Sequence, residues 1–200
     1  SRMPEPAPAE DELYAGVGLA LSLGDPAKAV AALEDAEKKN PDSVETKKLL
    51  TQVLIMAGRT GDARKILETM LAENPRDPDV LYPLALVAGA ENRREERKTL
   101  LARAVEAVPG DDRAHAALGE MYLQEKRYDA AEQAFDRSLA ENPSNLVALI
   151  GKGNMELHRG RPGEAEKALT RAIETEPGYS FAYADRARAR AETGAFEEAV

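Results

Sequence analysis

A proline recurs at intervals of 34 residues along this chain, as Pro41, Pro75, Pro109, Pro143 and Pro177. Three of the five follow an asparagine. A fixed period of this length indicates one helical or strand-based unit repeated along the chain rather than an ordinary globular core. If each proline is numbered position 32, the sequence divides into five full units and a partial sixth, with boundaries 10–43, 44–77, 78–111, 112–145, 146–179 and 180–200.

Other columns of the repeat predict two helices in each unit. Position 20 is mostly alanine and position 24 is leucine or phenylalanine, while position 15 is glycine in four units. Glycine can take the left-handed conformation that ends a helix, and proline at position 32 stops the second helix. Small residues at positions 8 and 20, such as Gly119 with Ala131, let antiparallel helices approach closely. We therefore predict an all-α protein built from pairs of antiparallel helices, each roughly 14 residues long.

Composition excludes several classes of protein. The 200 residues are 43% apolar and 32% charged, with 4% aromatic residues, no cysteine and a net charge of −9. Such a chain carries too many apolar residues for a disordered protein, and its acidity argues against a nucleic-acid partner. The longest uncharged run, 13–24, is too short to span a membrane.

Neither catalysis nor a cofactor is predicted. The two histidines, His115 and His158, lack a second ligand at metal-site spacing, and there is no glycine-rich phosphate loop. Paired carboxylates such as Glu95 and Glu96 fall at helix starts, where they interact favourably with the helix dipole. The sequence therefore predicts no enzyme activity, no cofactor and no metal.

The fourth unit resembles the tetratricopeptide repeat, through Leu118, Gly119, Tyr122, Tyr128, Ala131, Phe135 and Pro143. The resemblance covers residues 10–200. It implies a right-handed α-solenoid whose first helices (A) line a concave surface, where a peptide or helical segment of another protein binds. The tryptophan that many family members have at position 4 is absent throughout the chain.

The resemblance also implies which residues face the concave surface. The predicted partner-binding residues are Tyr14, Leu21, Lys48, Gln52, Ile55, Tyr82, Leu86, Arg113, Glu120, Leu123, Ile150, Asn154, Leu157 and His158. We expect the apolar residues of position 12 to anchor an amphipathic segment, these being Leu21, Ile55, Leu123 and Leu157. The alternative is that position 12 is apolar only for packing.

A two-carboxylate clamp, which some family members use to hold chaperone C-termini, is not expected. Its best frame here is Lys48, Gln52, Pro83, Arg113 and Ala117. Glutamine replaces an asparagine, proline replaces a second asparagine, and alanine replaces a basic residue.

The third unit departs most from the pattern. Arg97 occupies position 20 and Asn92 position 15, in a strongly charged run, 91–98. A buried unpaired arginine is costly, so we expect the first turn of that second helix to be loose or absent. Pro83 falls near the fourth helical position if Asp79 is the N-cap. The unit could serve as a hinge or a charged lip for a partner, or it could be a tolerated defect.

The two ends suggest context. Residues 4–9 read as a Pro/Ala-rich extended linker, preceded by Ser1-Arg2-Met3, which resembles a cloning remnant. Val200 leaves the last unit without its second helix, so we expect a truncated chain, a disordered end, or cover by another molecule, which allows self-association. The linker suits either an envelope tether or a cytoplasmic protein, so the compartment stays undecided.

Together these features predict a non-catalytic scaffold that binds another protein or peptide, without a nucleic-acid partner or a membrane span. Two alternatives stay open. One is a recruiting or regulatory domain of a larger enzyme. The other is a bacterial envelope assembly factor, for pili, outer-membrane proteins or cytochromes.

Overall fold

The computed structural model describes residues 10–194, which form eleven α-helices and no strand. Odd-numbered helices are 13 or 14 residues long and even-numbered helices are 14. In chain order they are α1 Glu10–Ser22, α2 Pro26–Lys39, α3 Val44–Met56, α4 Thr60–Glu73, α5 Pro78–Ala90, α6 Arg94–Ala107, α7 Asp112–Gln124, α8 Tyr128–Glu141, α9 Leu146–His158, α10 Pro162–Thr175 and α11 Ser180–Thr193.

Each odd helix joins the following even helix through a three-residue turn. The middle residue of the turn, position 15, is left-handed in every pair, and the next amide donates to the carbonyl five residues back, as Arg127 N does to Tyr122 O (2.8 Å). This is the Schellman arrangement that glycine favours. Glycine supplies it at Gly24, Gly58 and Gly160, whereas Asn92 and Lys126 adopt it with φ of 59° and 57°. The predicted role of position 15 is confirmed.

Four-residue loops connect each even helix to the next odd one. The even helices end two residues before the recurring proline, as the period predicts. Position 34 then caps the following helix: Ser43, Asp77, Asp111 and Asn145 each accept a hydrogen bond from a backbone amide of its first turn. Side-chain capping of this kind stabilises a helix by about 1 kcal/mol, so short polar residues set where the odd helices begin.

The chain divides into two compact units, residues 1–100 and 101–200, and the boundary falls within α6. In the first unit each helix from α1 to α5 packs on its neighbours, and α3 also contacts α5. In the second unit α7 to α11 pack in the same order, and α9 contacts both α7 and α11. Within each unit the helix pairs stack side by side, which is the predicted α-solenoid architecture of antiparallel pairs.

The columns of small and apolar residues form the core. Position 24 is fully buried in all five units, through Leu33, Leu67, Leu101, Phe135 and Leu169. The alanines of position 20 are also fully buried wherever the structure describes them. A methyl group on Gly119 would lie 2.5 Å from the Phe135 ring. The glycine therefore makes room for the large side chain at position 24.

The third unit is more regular than expected, and two predictions about it were wrong. The first turn of α6 is present, because the Arg97 side chain lies over Gly89, which has no side chain of its own at position 12. A methyl group on Gly89 would lie 3.1 Å from Arg97 Cδ. The N-cap of α5 is Asp77 rather than Asp79, so Pro83 is the sixth helical residue and is buried. The hinge or charged-lip role of this unit stays a prediction.

The Pro/Ala-rich linker, 4–9, and Val200, on which the predicted self-association rests, lie outside the described residues.

Candidate functional site

An open groove of about 560 Å³ crosses the second unit on the side formed by the odd helices. α7, α9 and α11 form its floor, together with the loop residue before α11. The groove is lined by Glu120, Leu123 and Gln124 of α7, by Leu146, Val147, Ile150, Gly151, Asn154 and His158 of α9, and by Tyr179, Asp185 and Arg188.

The apolar part of this lining rests directly on the core. Leu123 packs against the cluster around Phe135, while Leu146 and Ile150 pack against the cluster around Leu149. Each of the three is half-buried, so one side of its side chain supports the fold and the other faces the groove. Val147 is 43% exposed. A partner that covers these side chains gains hydrophobic energy without disturbing the core.

Polar side chains surround this apolar floor. Arg188 Nη2 donates to Asn154 Oδ1 (3.3 Å) and lies 3.8 Å from Asp185 Oδ1. Glu120 carries negative charge on the α7 side. The exposed His158 ring stacks on Tyr128, with ring centroids 6.4 Å apart. An apolar centre within a polar border is the usual arrangement of a protein interaction site.

Five of the predicted binding residues in the second unit line this groove: Glu120, Leu123, Ile150, Asn154 and His158. Two others do not. Leu157 is only 7% exposed because it packs with Leu169 and Ala189, so its predicted role as a surface anchor was wrong. Arg113 lies in the first turn of α7, 3.4 Å from the capping carboxylate of Asp111, away from the lining.

The structure places the predicted residues of the first unit on α1, α3 and α5. Gln52 is exposed, whereas Tyr14, Leu21, Lys48, Ile55, Tyr82 and Leu86 are half-buried. Lys48 Nζ donates to Asp79 Oδ2 (2.9 Å), so this cation ties α3 to α5. That hydrogen bond raises the pKa of Lys48 above its ordinary value. Lys48 therefore serves an internal ion pair, which argues further against the clamp.

The lining also includes Gln124, Val147 and Arg188, at the groove positions 13, 2 and 9 that the family resemblance implies. Four further lining residues occupy positions that the sequence analysis did not consider: Leu146, Gly151, Tyr179 and Asp185. Gly151 and Asp185 both occupy position 6, one helical turn from positions 2 and 9, which were considered. The helical spacing i, i+3, i+4 alone would have included position 6. Leu146 and Tyr179 lie at the boundary between units, where the direction of a side chain depends on the loop.

Ion pairs join neighbouring helix pairs in both units. Arg159 donates to Glu132 Oε2 (2.6 Å) and also pairs with Asp129. In the first unit Arg64, 8% exposed, reaches Glu68, Glu91 and Glu96, with Nη1 2.7 Å from Glu96 Oε1. These hydrogen bonds lower the pKa of Glu132 and of Glu96. In both units the residue at position 21 pairs with the residue at position 14 of the next repeat. In the first unit Arg64 at position 21 pairs with Glu91, whereas in the second Glu132 at position 21 pairs with Arg159.

Within residues 10–194 the structure contains no group of three or more His, Cys, Asp or Glu side chains that could hold a metal ion. In the same span no helix is long and apolar enough to cross a membrane. His115 is buried and its Nε2 lies 2.8 Å from the carbonyl oxygen of Pro109.

Stacked helix pairs of one length, with a lined groove on one side, define a helical-repeat protein of the kind that serves as a protein–protein interaction scaffold. A tetratricopeptide repeat family model matches residues 20–88 and 90–152, and a second tetratricopeptide repeat model matches 148–200. The chain belongs to the tetratricopeptide repeat family, as the resemblance predicted. Proteins of this fold are generally non-enzymatic scaffolds.

Curated relatives are distant and longer. The chain is 24% identical over 195 residues to "DnaJ homolog subfamily C member 7 homolog" of Dictyostelium discoideum, an alignment covering 90% of this chain and 36% of that protein. It is 23% identical over 189 residues to human "DnaJ homolog subfamily C member 7", covering 86% of this chain and 38% of the relative. The chain thus spans little more than a third of these relatives.

Solved structures show the same fold. TTC0263, a thermophilic TPR protein of Thermus thermophilus, superposes with a TM-score of 0.76 at 24% identity, over 90% of this chain and 97% of that chain. The pilF protein of Pseudomonas aeruginosa superposes with a TM-score of 0.74 at 18% identity, over 95% and 87% of the two chains. At these identities the likeness concerns the fold alone.

Proposed function

We propose that this protein binds a short amphipathic segment of another protein in the groove of its second unit. The observation that carries the proposal is the lining itself. Leu123, Val147 and Ile150 form an apolar centre, and Glu120 and Arg188 lie on either side of it. An apolar face of the partner would cover the centre while its polar residues meet the border.

The fold favours binding rather than catalysis at this place. The groove is open to solvent, whereas small-molecule sites usually bury most of their ligand. Its floor is built from side chains fixed by the core, since Ile150 and Leu123 both pack on buried residues. A floor that is already ordered costs little conformational entropy when a partner binds.

The two alternatives raised by the sequence concern the setting rather than the binding mode. A recruiting domain of a larger enzyme and an envelope assembly factor would each use such a groove. The relatives named as DnaJ homologs suggest a third setting, in which the array serves a chaperone-related protein. Of these settings none is favoured by a contact in the described residues, so the proposal is limited to segment binding.

The experiment is selection of peptides from a displayed random library against the whole chain, followed by binding measurements on two matched variants. Val147→Glu places a charge in the groove at a residue 43% exposed. Val44→Glu is the control, because Val44 is 41% exposed, lies near the start of an odd helix in the first unit, and is not part of the groove. Both variants keep a surface position, so neither should unfold the chain.

We expect selected peptides to lose at least tenfold in affinity for Val147→Glu and to bind Val44→Glu as they bind the unchanged protein. Burying a carboxylate under an apolar side chain of the partner costs about 1.4 kcal/mol or more, and about 1.4 kcal/mol is a factor of ten in affinity. If all selected peptides bind the two variants equally well, the groove is not the binding site.

A further inference from the structure

We propose that the groove recognises an extended segment of about six residues with a defined charge order: a basic residue toward α7, an apolar centre, and an acidic residue toward α11. This inference rests on the proposed function and adds to it the chemistry of the partner. It follows from the charges that one position of the repeat brings into the groove.

Position 9 of three successive units forms one row across the groove. It is Glu120 on α7, Asn154 on α9 and Arg188 on α11, and all three line the cavity. The row therefore runs from negative through neutral to positive. In the first unit the same position carries Gly18, Gln52 and Leu86, which have no charge. The charge order is thus a property of this groove and not of the repeat in general.

Arg188 is held so that it can meet a carboxylate of the partner. Its Nη2 donates to Asn154 Oδ1 at 3.3 Å, which directs the guanidinium along the row toward the groove. Asp185 lies 3.8 Å from the same nitrogen, farther than the 2.7–2.9 Å of a charge-assisted hydrogen bond. The Arg188 side chain is 49% exposed, and a guanidinium has five donors in a planar fork suited to carboxylates.

The length of the segment follows from the spacing of the helices. Packed helices lie 8–10 Å apart, so the two steps from α7 through α9 to α11 span roughly 16–20 Å. An extended chain rises about 3.3 Å per residue and covers this span in about six residues. A helix rises only about 1.5 Å per residue and would need about twelve residues to cover the same span.

Side chains of such a segment would alternate between groove and solvent. Those directed inward would lie on Leu123 and Ile150, which supply the apolar floor between the two charges. An acidic residue of the segment opposite Glu120, or a basic residue opposite Arg188, would be repelled and partly desolvated. The row therefore also disfavours segments whose end charges are reversed.

The test uses three heptapeptides with blocked termini and one shared apolar centre, differing only in their end residues: lysine and glutamate, two lysines, or two glutamates. Each is titrated by fluorescence anisotropy against the unchanged chain, Glu120→Arg and Arg188→Glu. The peptide selected for the groove by display serves as the reference, and circular dichroism checks that both variants keep their helices. Peptides of this length do not form stable helices in water.

We expect the mixed peptide to bind the unchanged chain about threefold tighter than either other peptide, the range of one exposed ion pair. Glu120→Arg should prefer the peptide with two glutamates, and Arg188→Glu the peptide with two lysines. These preferences should shrink in 0.5 M salt, where charge interactions are screened over a few ångströms.

The two levels of the proposal fail differently. If one peptide ranks first on all three proteins, or if the peptides bind equally, the charge order is wrong while groove binding stands. If neither these peptides nor the reference peptide binds the chain in a manner sensitive to Val147→Glu, the proposed function itself fails.

Discussion

Replacing Gly151 by alanine should destabilise the second unit because of one aromatic ring. Phe135 is fully buried, and its ring lies between Gly119 on α7 and Gly151 on α9. A methyl group added at Gly151 would lie 2.4 Å from Phe135 Cζ and 2.5 Å from Cε1. Carbon atoms in contact normally lie about 3.5–4.0 Å apart, so the ring or a helix must move by about an ångström.

Two opposing effects set the magnitude. Overpacking a close-packed core costs about 1–3 kcal/mol, while alanine in a helix interior is favoured over glycine by about 1 kcal/mol. The net loss of unfolding free energy should be about 1 kcal/mol, within a range of about 0–2 kcal/mol. If Phe135 is first changed to leucine, the crowding disappears and only the helix preference remains. Gly151→Ala should then be neutral or stabilising by up to about 1 kcal/mol.

The sequence supports this reversal, because the fourth unit has alanine at position 6, Ala117, and the preceding unit has leucine at position 24, Leu101. The measurement is a double-mutant cycle by urea unfolding, followed by circular dichroism at 222 nm. Hydrogen exchange of α9 amides reads the local stability, since repeat arrays do not always unfold in one step. Equal effects of Gly151→Ala in both backgrounds, within about 0.5 kcal/mol, would refute the crowding argument.

Three further predictions concern stability. Lys126→Gly should raise the unfolding free energy by up to about 1 kcal/mol, because residue 126 has a φ of 57°, which glycine adopts without strain. Lys126→Ala should give no such gain. The urea midpoints of the two variants make the comparison. Arg64→Leu should cost about 1–2 kcal/mol, because the partly buried Glu91 and Glu96 would keep only the more exposed Arg93 as a partner. Arg59→Leu, with a 45% exposed side chain, should change thermal stability little. Because the pKa of Glu96 and of Glu132 is lowered in the folded chain, their stabilisation is complete above the unfolded pKa near 4.5 and is lost as pH falls through the lower folded pKa. The urea midpoint of unfolding should therefore decrease as the pH falls below 4.5, and Glu96→Gln should weaken this pH dependence. An equal pH dependence in the variant would contradict the stabilising role given to Glu96.

Much of the local structure could be predicted because its causes are local. The left-handed turn needs a residue such as Gly58 or Gly160, and the next proline stops the second helix whatever surrounds it. The N-cap of α2 at Asp25, followed by Pro26, likewise depends only on neighbouring residues in the chain. These effects act within a few residues along the chain, so the sequence reports them directly.

The site was predicted only in part, because whether a side chain is buried or lines the groove depends on the neighbouring helices. Leu123 and Leu157 occupy the same position in successive units, yet one lines the groove and the other is buried with Ala189. Arg97 was expected to disturb α6, but Gly89 on the facing helix accommodates it. In each case the deciding residue lies on another helix and is distant in sequence.

The sequence alone thus determined the period, the helix pairs, the turns between them and the family, since these depend on spacing and backbone chemistry. Only the tertiary structure decided which apolar side chains remain at the surface, which cations are used internally, and that Glu120, Asn154 and Arg188 form one row. Burial and pairing depend on the size and charge of side chains that meet across helices, and no single repeat contains that information.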